Sequence, residues 1–219
     1  MSNGEYSAQL IAVGKELYNR RLQTTRSGNI SIRDGERFLI TQTGANLGQL
    51  LESNFIHVDI SQGLPIPPEA SCESPLHRAI YDATEALAIV HAHPIHAIAL
   101  AQISCDDHIL PIHNEGLAGL KRIPIVDTTV LGLGIGEEPT AIAAALRQSC
   151  SVVVRGHGAF AIGRSLDQKW SRFFEQFSPI YKWVPGGLSE VQSCPRRRAA
   201  LATDRPPRWA TRGAPRISC

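Results

Sequence analysis

An α/β fold is what this sequence predicts, and three observations predict it. Stretches with helical spacing alternate with short apolar runs of strand length. Two of those runs end in histidines flanked by turn residues. The pattern then stops near residue 184, leaving an Arg/Pro-rich end. Helix-length segments returning between strands are the pattern of a sheet covered by helices.

The elements follow in order. Leu10, Ile11, Leu17, Tyr18 and Leu22 recur at helical spacing, so residues 7–22 should form an amphipathic helix. Residues 29–33 and 37–41 flank the pair Asp34-Gly35, a strong hairpin signal between runs rich in Ile and Leu. Residues 55–60 read as a short strand before a Pro-rich loop at 63–68. Residues 74–81 should be a helix, with Pro75 in the first turn where a missing N–H is tolerated. An apolar run at 86–90 leads as a strand into His91, and a helix is expected at 95–103. A strand at 123–126, a helix at 137–147, a strand at 151–155 and a short strand at 159–162 complete the packed pattern. A last helix at 166–183 would be kinked by Pro179.

The totals exclude several classes. The chain has 219 residues, 43% hydrophobic and 19% charged, with a net charge of +2. That suits one domain with a sizeable core. No apolar run approaches the ~20 residues a membrane helix needs, and the first nine residues lack a basic-then-apolar signal pattern. Cys72, Cys105, Cys150, Cys194 and Cys219 are scattered and odd in number, with no CxxC pair. They read as reduced thiols of a cytoplasmic protein. Seven arginines after residue 185 stand against Glu190 and Asp204, giving that segment +5 and leaving −3 for the rest. We therefore expect a domain over 1–184 and a disordered tail over 185–219. Trp209 alone offers an aromatic platform there, so nucleic-acid binding is not expected.

The chemistry concentrates at four places. His91-Ala92-His93-Pro94 closes a strand, and alternate strand residues share a face, so two imidazoles can converge on one ion. A second apolar run, Val152 to Val154, leads through Arg155 into Gly156-His157-Gly158. Three neutral imidazoles with an open fourth position form the ligand set of a catalytic zinc site. A lone histidine is more often a core or loop residue; the pairing of His-x-His with Gly-His-Gly at two strand ends favours the metal. Glu73, just ahead of a helix, is placed to be a fourth ligand or a nearby base. Gly28-Asn29-Ile30-Ser31, Thr43-Gly44 and Ser71-Cys72-Glu73 each offer polar groups to an anion, although singly they are ordinary turn residues.

In this order the segments GNISIR, LITQTG, Ser-Cys-Glu followed by His77, VHAHP and VVVRGHGAFAIG resemble the class II aldolase/adducin family over about residues 8–181. The resemblance implies a three-layer α/β domain with a mostly antiparallel sheet between helices, assembled as a homotetramer with active sites between subunits. It implies that His91, His93 and His157 hold a divalent metal, typically zinc, and that Glu73 is the acid/base. Asn29, Thr43, Gly44 and Ser71 take phosphate-binding positions; Cys72 stands where the fuculose-phosphate aldolase pattern has a second serine. No tyrosine occurs between Tyr81 and Tyr181 to match that aldolase's proton donor, and His113 or Glu115 would have to replace it. The activity so implied is metal-dependent cleavage of a sugar phosphate into a ketone phosphate and an aldehyde. The alternatives are an epimerase, dehydratase or decarboxylase of the same family, or a non-catalytic adducin-like interaction module.

Overall fold

The structure is a computed structural model, and it describes residues 3–23, 26–110, 122–127 and 139–164. The expected helix at 166–183, the tail, His113 and Glu115 lie outside the described residues. Eight strands form one sheet in the order β3-β2-β1-β4-β8-β7-β6-β5. They are β1 (Asn29–Asp34), β2 (Arg37–Thr41), β3 (Phe55–Asp59), β4 (Ala88–Ala92), β5 (His108–Ile109), β6 (Ile123–Val126), β7 (Ser151–Val154) and β8 (Gly158–Gly163). Every pairing is antiparallel except β6 with β7. Those two are parallel because a helix-bearing connection lies between them, as parallel neighbours require.

Four described helices cover the sheet: α1 (Asn3–Asn19), α2 (Ser74–Ala83), α3 (Ile95–Ile103) and α4 (Pro139–Gln148). Strand alternation divides the apolar residues between two cores. On one face Leu10, Val13 and Leu17 of α1 and Ala97 and Ala101 of α3 meet Ile30, Ile32, Val90, Val153 and Ala159. On the other, Leu76 and Ile80 of α2 and Ile142 and Leu146 of α4 meet Ile40, Ile89, Val152, Val154 and Phe160. The result is the expected three-layer arrangement with a mostly antiparallel sheet.

Three local expectations shift. The first helix begins at Asn3 rather than residue 7. The hairpin turn is Gly35-Glu36, since Asp34 already pairs with Arg37. Gly35 carries φ +61 and Glu36 has no positive φ, so a single glycine at the first turn position suffices, as in a type II′ turn. The two-residue strand β5 was not expected, being too short to show a period. Among the described cysteines, Cys72 and Cys150 are free. Cys105 is disulfide-bonded, contrary to the expectation of five reduced thiols.

Candidate metal centre

The pairing of β1, β4 and β8 brings the site together at one end of the sheet. Asn29 lies opposite His91, and His91 lies opposite Phe160. On β4, Ala88, Val90 and Ala92 point into the α1/α3 core, so His91 points to the α2 face. There its ring stacks on Phe160, centroids 4.1 Å apart and planes 16° apart. His93 follows just past the strand end. His157 sits in the tight turn between β7 and β8, where Gly156 takes φ +74 and the His157 N–H reaches Val154 O.

Arg155 ties the turn of His157 to the C-terminal end of α3. Its Nη1 donates to Ser104 O at 2.9 Å and to Ala101 O, at the end of α3, while its Nε pairs with Asp127. Because α3 starts directly after His93-Pro94, this guanidinium couples the turn of His157 to the helix that follows His93. A cation on the last carbonyls of a helix is favoured by the unpaired oxygens there.

The ring nitrogens then converge. His91 Nε2 is 2.8 Å from His93 Nε2 and 3.1 Å from His157 Nε2, and one ligand atom from each ring lies within 4.8 Å of the others. His91 Nδ1–H donates to Ala159 O at 3.1 Å, which fixes the tautomer and leaves Nε2 as a bare lone pair. Burial pushes His91 down to about 3 despite the nearby Glu73 carboxylate, and likewise pushes His93 down to about 4. Both are therefore neutral at pH 7. With Nε2 of His93 and His157 unprotonated as well, three lone pairs face one another, an arrangement that a cation among them stabilises. Tetrahedral zinc with N ligands at 2.0–2.1 Å sets nitrogens roughly 3.3 Å apart, close to the spacing found. The donor set fits a divalent metal.

Glu73 closes the arrangement. It sits directly before α2, 7% exposed, with Oε1 3.0 Å from His157 Nε2 and Oε2 3.4 Å from His91 Nε2. Asn29 Nδ2 donates to Oε2 at 2.6 Å. Burial acts to raise this carboxyl, but His91, His157 and the Asn29 amide hold it well below the usual carboxylate range, so it is ionised.

The remaining expected site residues lie in two loops bound to each other beside Glu73. Thr43 N–H donates to Glu69 O and Thr43 Oγ1 to Ala70 O, while Ser71 N–H reaches Thr41 O. Thr43 therefore spends both donors on shaping the loop, and Asn29 spends its amide on Glu73. The donors left over are different. Gly44, at φ +70, has an N–H with no partner among the described residues, and the Ser71 hydroxyl accepts from Glu73 N–H while keeping its own proton. Cys72, between them and Glu73, is exposed. Asn29 Oδ1 is buried without a hydrogen-bond partner.

Gly158 has a role that sequence reasoning did not assign. A Cβ there would sit 2.7 Å from His91 Cε1, 2.7 Å from Ala92 O and 3.0 Å from His93 Cδ2. Only glycine lets β8 pass beneath both rings. Gly158→Ala should cost about 1–3 kcal/mol through overpacking and weaken metal binding at the same time. Thermal melting and chelator competition on the variant check this; parental metal affinity would show that the rings have room to move.

Three histidines converging at the strand ends of an α/β sheet, with a carboxylate from the start of α2 against two of them, form a donor set that could hold a metal ion. The chain belongs to the Class II Aldolase and Adducin N-terminal domain family, whose profile matches residues 8–176, a family of metal-dependent lyases. It is 30% identical over 160 residues to L-fuculose phosphate aldolase of Methanocaldococcus jannaschii, covering 72% of this chain and 84% of that protein. It is 28% identical over 183 residues to a protein of Nocardia farcinica named as a bifunctional methylthioribose-1-phosphate isomerase/methylthioribulose-1-phosphate dehydratase. That match covers 77% of this chain but only 33% of the longer relative. The crystal structure of L-fuculose-1-phosphate aldolase from Thermus thermophilus superposes with a TM-score of 0.70 at 28% identity, covering 98% of this chain and all of that one. Among the described residues no helix is long and apolar enough to cross a membrane.

Proposed function

We propose that this protein is a divalent-metal-dependent aldolase that reversibly cleaves a ketose 1-phosphate into a ketone phosphate and an aldehyde. The observation that carries the reading is the convergence of His91, His93 and His157 Nε2 with the ionised Glu73 against two of them. Zinc, or another divalent ion, would be held by the three imidazoles and would supply Lewis-acid polarisation of the substrate carbonyl. Glu73 exchanges the proton on the carbon beside that carbonyl, a task for a carboxylate within reach of the reacting atom. Asn29 holds the Glu73 carboxylate through its amide. Gly44 N–H and Ser71 O–H anchor the phosphate, with Thr43 fixing the loop that presents them and Cys72 alongside. Such anchoring fixes the reacting carbons against Glu73, and orientation alone lowers barriers by several kcal/mol.

The proton on the hydroxyl of the cleaved bond needs a second carrier. Tyr81 is not it, since its ring is buried and its hydroxyl is bonded to Ser31 Oγ at 2.8 Å. A dehydratase is the second reading, favoured by the resemblance to the Nocardia farcinica protein. It would use the same proton abstraction and lose water instead of breaking a carbon–carbon bond. Incubation with ketose 1-phosphates separates the two, because only the aldolase releases free aldehyde. We place the enzyme in the cytoplasm as a homotetramer. The assembly is supported by α3, apolar on nearly every side although only Ala97 and Ala101 are buried; such a helix is ordinarily covered. Sedimentation tests it.

Cys72 gives a test of the phosphate. A thiol donates weakly, a hydroxyl well, and a hydrogen bond to a charged group is worth about 1.5–3 kcal/mol. Cys72→Ser should therefore tighten a phosphate-bearing inhibitor by up to about tenfold, since backbone and water replace part of the bond. Unchanged or weaker binding in the serine variant argues against a phosphate at this loop.

A further inference from the structure

Beneath the site runs a line of buried polar contacts of which the proposed chemistry uses only the first, Asn29 with Glu73. Glu73, His77 and Tyr81 are spaced by four along the start and length of α2, and so share one face. Asn29, Ser31 and Arg33 alternate along β1, and so share the opposing face. The two faces meet rung by rung. Asn29 Nδ2 donates to Glu73 at 2.6 Å. Ser31 Oγ is hydrogen-bonded to both His77 Nδ1 at 2.7 Å and Tyr81 Oη at 2.8 Å. Arg33 donates to Tyr81 O and Thr84 O and lies 5.1 Å from the Tyr81 ring centroid.

Ser31 and His77 are fully buried and Tyr81 is 1% exposed. His77 Nε2 is buried without a hydrogen-bond partner, and the ring meets Phe160 edge-on, centroids 6.3 Å apart. An apolar seam would hold this helix to this strand without orphaning a donor or acceptor. Polar pairs, unlike apolar ones, are satisfied at one register only, because sliding the helix leaves each group buried and unpaired. The same Phe160 stacks on His91, so the seam also borders the imidazole cluster.

We propose that Ser31, His77 and Tyr81 are positioning residues: a polar zipper between β1 and α2 that sets the register of the helix and thereby holds the Glu73 carboxylate at its height against His91 and His157. This rests on the reading of Glu73 as the base. Small misplacements of a reacting group cost large factors in rate, so the zipper acts on turnover more than on substrate affinity.

The test is Ser31→Ala, with Tyr81→Phe as a milder second variant that removes a single hydroxyl, in the zinc-loaded full-length protein. Proton exchange into dihydroxyacetone phosphate, the ketone half of any ketose 1-phosphate cleaved between C3 and C4, is followed by deuterium incorporation. The expected result is a fall in kcat of about tenfold or more, with KM and zinc content near parental values. In the Glu73→Gln background the same substitutions should bring no further loss. A lowered melting temperature with parental kcat, or an equal loss in the Glu73→Gln background, overturns the proposal. If the parental protein exchanges no proton of dihydroxyacetone phosphate, the proposed function fails, and the zipper is judged on zinc affinity alone. Ser31→Ala should then weaken zinc in chelator competition only while Glu73 is present, and unchanged affinity overturns it.

Discussion

Glu73→Gln should reduce proton exchange beside the substrate carbonyl by roughly 10²–10⁴-fold, the contribution of a positioned acid/base, while the fold and most of the metal remain. The amide keeps the shape of the carboxylate and can still accept from Asn29 Nδ2, the 2.6 Å contact that orients it. It loses the negative charge beside His91 and His157, so some metal affinity goes with it. It also loses the capacity to take a proton. Deuterium incorporation into dihydroxyacetone phosphate, measured with metal content on the same sample, separates the two effects. A variant that retains the parental exchange rate shows that another group is the base.

His93→Ala should strip the metal, weakening it by more than the 10–100-fold typical of losing a supporting outer-shell group. His93 is the more informative ligand to remove. His91 is fully buried against Phe160, and its loss would leave a cavity in the core. His93 is only partly buried, just beyond the strand end, so water can replace it with little damage to packing. Melting temperature near the parental value in the presence of chelator, together with lost metal, is the expected pair of results. Full metal occupancy in the variant would place the ion elsewhere.

Much of this site was legible because its ligands are periodic. His91 and His93 obey the strand period of two, and the flanking glycines of His157 mark a turn at the end of an apolar run. Glu73 could be placed at a helix start from Pro75 alone. The contacts among these elements were not legible. Nothing in the sequence says that the start of α2 lies against β1, so the bond from Asn29 to Glu73 was out of reach, and Asn29 read as an anion donor when its amide faces a carboxylate. Thr43 carries the same lesson, since its donors turn inward to Glu69 O and Ala70 O. Gly158 read as half of a bracket around His157, whereas its role is to leave room for two rings packed from β4. The zipper did have a signal: Glu73, His77 and Tyr81 at intervals of four, and Asn29, Ser31 and Arg33 at intervals of two. Its meaning depended on knowing that the helix lies on that strand. The hairpin turn slipped by one residue because the Asp-Gly pair looks like a complete turn, while Asp34 fits the ladder opposite Arg37 and only Gly35 needs a positive φ.

The most direct test of the metal centre is elemental analysis of the purified protein, before and after chelation, with the exchange reaction measured on both samples. Close to one divalent ion per chain, with activity lost on chelation and restored by zinc, is the result predicted by three imidazoles whose Nε2 atoms converge. A protein that carries no metal and keeps undiminished activity in chelator would contradict it, leaving the three histidines as packing and Glu73 without the partner its place implies.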